Sequence, residues 1–425
     1  MRFDTLQIHA ASEPDGPLGA RQLPIYPGNA FLFGTLGRAS DLFSLDEAGP
    51  IYTRIGNPSM TALEGRLTAL EGGAAAVAFA SGQAAETAAL LNVVRSGDHI
   101  VSSPVIYGGT YNLIKNTLGD LGIAVTFVEQ PEDPGAWAAA IRPNTRILFT
   151  ESIGNPNNSV YDYRVIADVA AAHQVLFCVD NTAATPYLFR PFEHGADIVI
   201  HSASKFLGGH GVAIGGLVID GGTFDYAASE RYPMMTQTDP SYRLSFADKF
   251  GKLAFAQRLR CNILRDTGAA MSPFTAWIIA QGIETLSLRM SRHVSNALAI
   301  AQWLEEHPDV GAVNYCGLES NRYYDLAMRY LPRGQGAVFC FDINGGYEQA
   351  VRFVEALRLF SHAANIGDLR SLVLHPASTT HSQMSDDERT LAGLSPGSVR
   401  LSVGLEDVND LIEDLDDGLS RSHRS

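Results

Sequence analysis

Cysteine is scarce in this 425-residue chain: Cys178, Cys261, Cys316 and Cys340 are the only four. None forms a CxxC pair or sits at zinc-ligand spacing, so the four read as buried, reduced thiols and a structural metal site is not expected. Positive charge is scarce as well. Against 46 acidic side chains there are 31 basic ones, and the formal net charge of −15 disfavours nucleic acid or an acidic membrane surface as a partner. Long apolar runs are missing. The opening segment MRFDTLQIHA has no apolar leader core, and the most apolar later stretch, residues 73–95, is interrupted by Gly82, Glu86 and Arg95. A cytoplasmic location is expected. No G-x-G-x-x-G follows a strand-like run and no P-loop occurs, which removes the nucleotide-binding readings.

What is present is the composition of an ordinary globular protein, 46% hydrophobic and 18% charged. A chain this long exceeds what one core serves, so two or three structural units are expected. From about residue 74, short apolar strands alternate with amphipathic helices, the rhythm of a parallel sheet covered on both faces. The strand candidates are AAAVAF (74–79), HIVSS (99–103), VTFVE (125–129), RILFTES (146–152), VLFCVD (175–180), DIVIHS (197–202) and GGLVID (215–220). Helices are predicted over 83–94 and 163–173, the latter presenting Val165, Ile166 and Val169 on one face. Residues 1–60 lack this rhythm and read as an arm laid over something else. Beyond about residue 260, a long stretch of helical periodicity (274–306) precedes separated strands at 337–343 and 399–405. The expected class is therefore α/β: a large domain over 61–260 with a mainly parallel sheet between helices, and a smaller α+β domain over 261–425.

In an open α/β sheet, ligands gather beyond the carboxyl ends of the strands, so the residues after each strand carry the functional argument. Ser81-Gly82-Gln83 opens a helix whose free N–H groups suit a phosphate, although a plain serine cap accounts for it equally well. Asp180 ends a strand and could hold the ring nitrogen of a pyridine cofactor, or merely form a turn. DIVIHS runs into SASKFLGGHG, placing Lys205 among small residues beside Ser202 and Ser204. A lysine there either snorkels to the surface or is a desolvated amine able to form a Schiff base with an aldehyde, and the second reading is favoured. Gly208, Gly209 and Gly211 would let the backbone turn closely beside it. Tyr107 could cover a planar heteroaromatic ring or simply be core. Asn155 could bind a phenolate or carboxylate oxygen, or form an Asn-Pro turn. Arg400 offers the planar fork that suits an α-carboxylate, or is an ordinary strand arginine.

Two rival motifs fail. Ser202 to Lys205 spells the S-x-x-K of serine β-lactamases but lacks K-T-G and S-D-N companions, and Gly393 to Gly397 spells G-x-S-x-G after the polar stretch SDDERT rather than after a strand.

At SASKFLGGHG, with Asp180 twenty-five positions earlier, the chain resembles the Cys/Met-metabolism family of fold-type I pyridoxal-phosphate (PLP) enzymes. IYTRIGNP (51–58), SGQAAE (81–86), YGGTYN (107–112), VDNTAATPYL (179–188) and RLSVGLE (400–406) fall in family order, so the resemblance spans almost the whole chain. TLQIHA with PIYPGNAFLF, the run 262–290 and SLVLHPASTTHSQM (371–384) are similar to its sulfhydrylase branch more than to its lyases. Methionine γ-lyases of the family usually carry a cysteine where Gly109 stands here. The resemblance implies pyridoxal 5′-phosphate covalently held by Lys205, with Asp180 at the ring nitrogen and Tyr107 over the ring as a second catalytic group. It implies Ser81, Gly82, Gln83, Ser202 and Ser204 at the phosphate, and Tyr52 and Arg54 reaching the phosphate of a neighbouring subunit. Asn155, Ser371 and Arg400 match positions that hold the substrate carboxylate. The implied activity is γ-replacement on O-acetylhomoserine by sulfide or a thiol in a homotetramer, with cystathionine γ-synthase or use of an O-succinyl ester as the alternatives.

Overall fold

The structure, a computed structural model, describes residues 1–11, 19–380 and 393–422. Residues 381–384 of the run SLVLHPASTTHSQM and the stretch SDDERT lie outside the described residues, as do 12–18 of the arm and 423–425.

All seven expected strands form: β1 (Ala75–Phe79), β2 (His99–Ser102), β3 (Ala124–Phe127), β4 (Thr145–Glu151), β5 (Leu176–Asp180), β6 (Ile198–Ser202) and β7 (Gly216–Asp220). They make one sheet in the order β1-β7-β6-β5-β4-β2-β3. Every neighbouring pair is parallel except the two that involve β7, which runs antiparallel to both β1 and β6. The sheet is thus mainly parallel, and the carboxyl ends of β1, β2, β4, β5 and β6 share one edge. Alternation along the strands buries both faces. In β5, Phe177 and Val179 join one apolar cluster while Leu176 and Cys178 join another; this is why such strands read as continuous apolar runs.

The helices between strands start where local chemistry dictates. Asn57 accepts from the Ser59 amide at 2.9 Å with Pro58 at the first helical position, and Gly72 closes the same helix, Pro58–Glu71, at φ 79°. Helix Tyr163–Ala172 begins on Asp162, whose Oδ1 accepts from the Val165 amide at 3.3 Å, with Ile166 buried against the sheet. The long periodic stretch at 274–306 is two helices, Pro273–Ile283 and Leu286–Glu305, interrupted at Glu284–Thr285. A second sheet has the order β10-β11-β12-β9-β8, from β8 (Val310–Asn314), β9 (Val338–Ile343), β10 (Ser361–His362), β11 (Leu372–Leu374) and β12 (Ser398–Ser402). Its Phe339, Phe341, Val399 and Leu401 belong to the same apolar cluster as Val179 and Val199, so the two sheets share one continuous core.

The four cysteines are free and buried, and among the described residues no helix is long and apolar enough to cross a membrane.

One contact fixes the functional edge. A Cβ at Gly216 would lie 2.1 Å from the carbonyl oxygen of Ser81, and one at Gly82 would lie 2.5 Å from Ser202 Cβ. Only glycine lets β7 slot between β1 and β6 here. Gly216→Ala is therefore expected to destabilise the protein by between about 1 and 3 kcal/mol, read as a lower denaturant midpoint at unchanged m-value.

Candidate active site

The shared strand edge opens into a cavity of about 480 Å³, the size range of a cofactor or small-ligand site. Ten of the thirteen side chains singled out in the sequence line it: Ser81, Gly82, Gln83, Tyr107, Asn155, Asp180, Ser202, Ser204, Lys205 and Arg400. They arrive from five strand ends of the large sheet, with Arg400 supplied from the middle of β12 in the second.

At one end, helix Gly82–Leu91 starts on Ser81, whose Oγ accepts from the Ala84 amide at 3.0 Å. Among the described residues no protein acceptor takes the amide hydrogens of Gly82 or Gln83, both of which line the cavity. Two first-turn donors, a helix dipole and the hydroxyls of Ser202 and Ser204 therefore face the same space. Ser204 is held by a reciprocal pair, its Oγ donating to Gly215 O at 3.2 Å and accepting from Gly215 N at 3.0 Å. The Ser202 amide donates to Thr182 Oγ1 at 2.7 Å, which ties the end of β6 to the loop after β5.

In the middle, Lys205 Nζ donates to Asn365 Oδ1 at 2.5 Å. Burial, and secondarily the charge of Arg400, lower its pKa below that of an ordinary lysine. The loop that carries it is held from behind: buried Arg289 donates to the carbonyls of Phe206 at 2.6 Å, Leu207 at 3.2 Å and Gly282 at 2.7 Å. Gly282 itself comes so close that a Cβ there would lie 2.3 Å from Gly208 O. Arg400, 5% exposed, donates to Asn155 Oδ1 at 3.2 Å and to Asn365 O at 3.4 Å, leaving part of its fork toward the cavity.

Tyr107 stands at the mouth, 49% exposed, its amide donating to Glu151 Oε1 at 2.6 Å. A Cβ at Gly109 would meet the Tyr107 ring at 2.4 Å, so the glycine gives that ring the room in which it lies. On the floor, Asp180 receives the Thr182 amide at 2.8 Å and lies against Glu86 and Glu151, two buried carboxyls that the sequence reading did not single out.

Three of the sequence-derived residues are elsewhere. Ser371 is fully buried behind the cavity wall, its Oγ donating to Glu406 at 3.0 Å and accepting from the Gly404 amide at 2.8 Å. Tyr52 and Arg54 lie outside the cavity, with Arg54 donating to the carbonyl of Arg265 and its guanidinium 5.6 Å from the Tyr52 ring centroid. Asn365 was missed because an asparagine in the loop SHAANIGD, far along the chain, carries no motif of its own.

Pyridoxal phosphate fits these residues. Unpaired helix-start amides with two hydroxyls suit its phosphate, a partly desolvated lysine amine its aldehyde, and a buried aspartate its ring nitrogen. The fold and this donor set define a fold-type I PLP enzyme. A family model described as Cys/Met metabolism PLP-dependent enzyme matches residues 4–420, and the chain belongs to that family. It is 47% identical to the O-acetyl-L-homoserine sulfhydrylase of Leptospira meyeri over 98% of this chain and 96% of that one. It is 48% identical to O-acetyl-L-homoserine sulfhydrylase 1 of Thermus thermophilus, over 99% and 100%. A homocysteine synthase of Schizosaccharomyces pombe is 47% identical, with 97% of each chain covered. A crystal structure of a putative O-acetylhomoserine (thiol)-lyase from Campylobacter jejuni, with N′-pyridoxyl-lysine-5′-monophosphate at position 205, superposes with a TM-score of 0.95. That chain is 38% identical, with 99% of this chain and 100% of that one covered.

Since Arg400 repels the protonated form of Lys205, Arg400→Met should move the pH midpoint for capture of added pyridoxal phosphate upward. The rate of growth of the visible band in the cofactor-free protein, followed across pH, measures this; an unchanged midpoint would show that the two cations are not coupled.

Proposed function

We propose that this chain catalyses γ-replacement on O-acetyl-L-homoserine with sulfide or a thiol, giving homocysteine and acetate when sulfide enters, as a cytoplasmic enzyme of sulfur amino-acid biosynthesis. The observation that carries the reading is the meeting of Lys205, Asn155 and Arg400 in one cavity, an amine beside a carboxylate-binding fork. The names of the relatives above support the choice of ester and of sulfide as nucleophile.

When bound, pyridoxal phosphate supplies an electron sink conjugated to the α carbon of the substrate. Everything else falls to side chains. Lys205 would hold the cofactor through its aldehyde carbon and, when its amine is free, would be the base for the α proton. Its lowered pKa leaves more of it neutral, and so competent, near neutral pH. Arg400, aided by Asn155, orients the α-carboxylate so that the α C–H faces that amine. In this reading Asn365, which lines the cavity, rather than Ser371, which does not, faces the substrate. Asp180 holds the ring nitrogen, Tyr107 covers the ring, and the Gly82 and Gln83 amides with Ser202 and Ser204 hold the phosphate. Ser81 keeps the start of the helix in place. Removal of a β proton would let acetate leave from the γ carbon with the C–O electron pair; sulfide would then add at the γ carbon, and return of a proton to the β carbon and one to the α carbon would complete homocysteine.

Lys205→Ala should lower turnover by roughly 10³-fold or more while circular dichroism and the thermal midpoint stay near wild type. The assay is homocysteine and acetate formed from O-acetyl-L-homoserine and sulfide, with O-succinyl-L-homoserine in parallel. Near-normal activity of the variant would remove Lys205 from the mechanism, and product from the succinyl ester alone would overturn the substrate assignment.

We assign Tyr52 and Arg54 to the phosphate site of a neighbouring copy, in a dimer that pairs into a tetramer. In support, neither residue lines its own cavity, and the arm around them exposes Leu32 (96%), Leu36 (91%) and Phe43 (61%). Hybrids test this assignment. Each mixed dimer of Arg54→Ala and Lys205→Ala subunits would contain one site with both native residues, so mixing two poorly active variants should restore activity; additive residual activities would place Arg54 within its own subunit.

A further inference from the structure

Beneath the cavity three carboxyls meet. Glu86, in the second turn of helix Gly82–Leu91, is 3% exposed, and its carboxyl lies against that of Asp180 on the cavity floor. Both of its oxygens lie within reach of the Thr110 hydroxyl, at 2.9 and 2.8 Å. Glu151, at the end of β4 and paired across the strands with Asp180, accepts from the amides of Tyr107 at 2.6 Å and Asn155 at 3.2 Å. No lysine, arginine or histidine forms an ion pair with any of the three among the described residues. The buried thiol of Cys178, two positions before Asp180 on β5, also feels Asp180 and Glu86, and burial keeps it protonated. Three ionised carboxylates in so dry a place would repel one another at a cost that no paired cation offsets.

We propose that Glu86 is a positioning residue: as a neutral carboxylic acid it donates its proton in a hydrogen bond to Asp180, so fixing the orientation of Asp180 and limiting the negative charge with which it meets the ring nitrogen of the cofactor. This deepens the reading above and rests on it. The geometry requires a donor between the two carboxyls, because two acceptors held in contact need a proton between them. The Thr110 hydroxyl supplies one hydrogen to Glu86 and cannot supply a second to Asp180. Burial pushes the pKa of Glu86 well above the carboxylate range, with the charge of Asp180 next in importance, and Glu151 shifts in the same direction for the same reasons. Glu151 has two backbone amides to satisfy its oxygens, whereas Glu86 has a single hydroxyl, which leaves its own O–H free for Asp180. The consequence is a ring-nitrogen partner buffered by a neighbouring acid rather than standing as an isolated carboxylate.

Two substitutions and two readouts decide the matter. Glu86→Gln retains a donor, since its amide N–H can face Asp180 while its oxygen accepts from Thr110; Glu86→Leu removes the donor at similar volume. In the PLP-loaded protein, the pH midpoint of the visible absorption band should stay at the wild-type value in Glu86→Gln and move by about half a pH unit or more in Glu86→Leu. Turnover of Glu86→Leu should fall about tenfold with KM little changed, and Glu86→Gln should restore most of it. In the cofactor-free protein, the infrared carbonyl stretch of neutral carboxylic acids should lose intensity in Glu86→Gln. A midpoint that moves in Glu86→Gln, one that stays in Glu86→Leu, or an infrared band that Glu86→Gln leaves unchanged would each overturn the proposal. If Glu86→Leu does not fold, the Glu86→Gln midpoint and the infrared band still decide. Failure of the underlying reading looks different: the wild-type protein would then acquire no visible band with pyridoxal phosphate, while the infrared result would be unaffected.

Discussion

The insertion of one reversed strand between two parallel ones is the constraint on which the site depends. With β7 antiparallel between β1 and β6, the carboxyl ends of β1 and β6 stand two strand spacings apart, facing the amino end of β7. Phe79 and Ser202 both pair with Gly216, so the turn that starts helix Gly82–Leu91 and the turn that carries Lys205 are locked to the same residue. The unpaired amides at the start of that helix and the Lys205 amine are therefore positioned by ladder hydrogen bonds rather than by loop conformation, the rigid support that a preorganised site requires. Side chains are excluded at Gly82 and Gly216 because the backbones themselves fill the space.

Charge is arranged across this frame in layers. Arg400 and Lys205 lie on the substrate side, each with its pKa lowered chiefly by burial, and Asp180, Glu86 and Glu151 lie on the floor. Cations and carboxyls are thus held apart within one cavity instead of neutralising one another in ion pairs. A bound group that carries a phosphate, an electrophilic carbon and a basic ring nitrogen has a partner at each point. The same separation explains why Lys205 donates to the neutral amide of Asn365 and not to a carboxylate: an ion pair there would raise the lysine's pKa and blunt its use as a base. Arg289 completes the arrangement from outside the cavity by capping the carbonyls of Phe206 and Leu207, which keeps the lysine loop from relaxing.

The strands of the large sheet were legible because their two-sided burial writes unbroken apolar runs, and the residues after them were legible because chemistry collects at one sheet edge. Asn365 and Arg289 were not, since each acts from a segment remote in sequence and neither type is unusual where it stands. Glu86 and Glu151 were quoted within SGQAAE and RILFTES without being singled out; their meaning lies in a three-way contact with Asp180 that spacing does not reveal. Ser371 stands just before β11, outside the cavity lining, with its hydroxyl bonded to Glu406 and Gly404, a placement that its motif neighbourhood does not reveal. In the second sheet, β10 and β11 contribute two and three residues, too short to show a period, and β8 is half exposed and lacks an apolar run. The break at Glu284–Thr285 was hidden because both flanking helices keep the same apolar face, and only the packing of Gly282 on Gly208 marks where the first must end.

The N-terminal arm is the part of the chain that a single copy explains least. Its helix Phe3–His9 is well anchored, with Gln7 exchanging hydrogen bonds with Ser287 at 2.9 and 3.0 Å, and Arg66 donating to Ala10 O at 3.3 Å. Farther along, Leu32, Leu36 and Phe43 are presented to solvent on a backbone that is nonetheless ordered by pairing of Phe31 with Ile51 and of Thr53 with Asn29. Ordered backbone with outward apolar side chains is what a surface meant for burial looks like, whereas an arm with no partner gains nothing from such order. Tyr52 and Arg54 sit at the end of that surface, charged and aromatic groups next to an apolar patch, which is the composition of an interface that delivers a side chain to something beyond it. In the dimer proposed above, a second copy of this chain would supply both the apolar cover and a phosphate site to receive Arg54, so that one interface would account for the order of the arm and for the position of Tyr52 and Arg54 outside their own cavity.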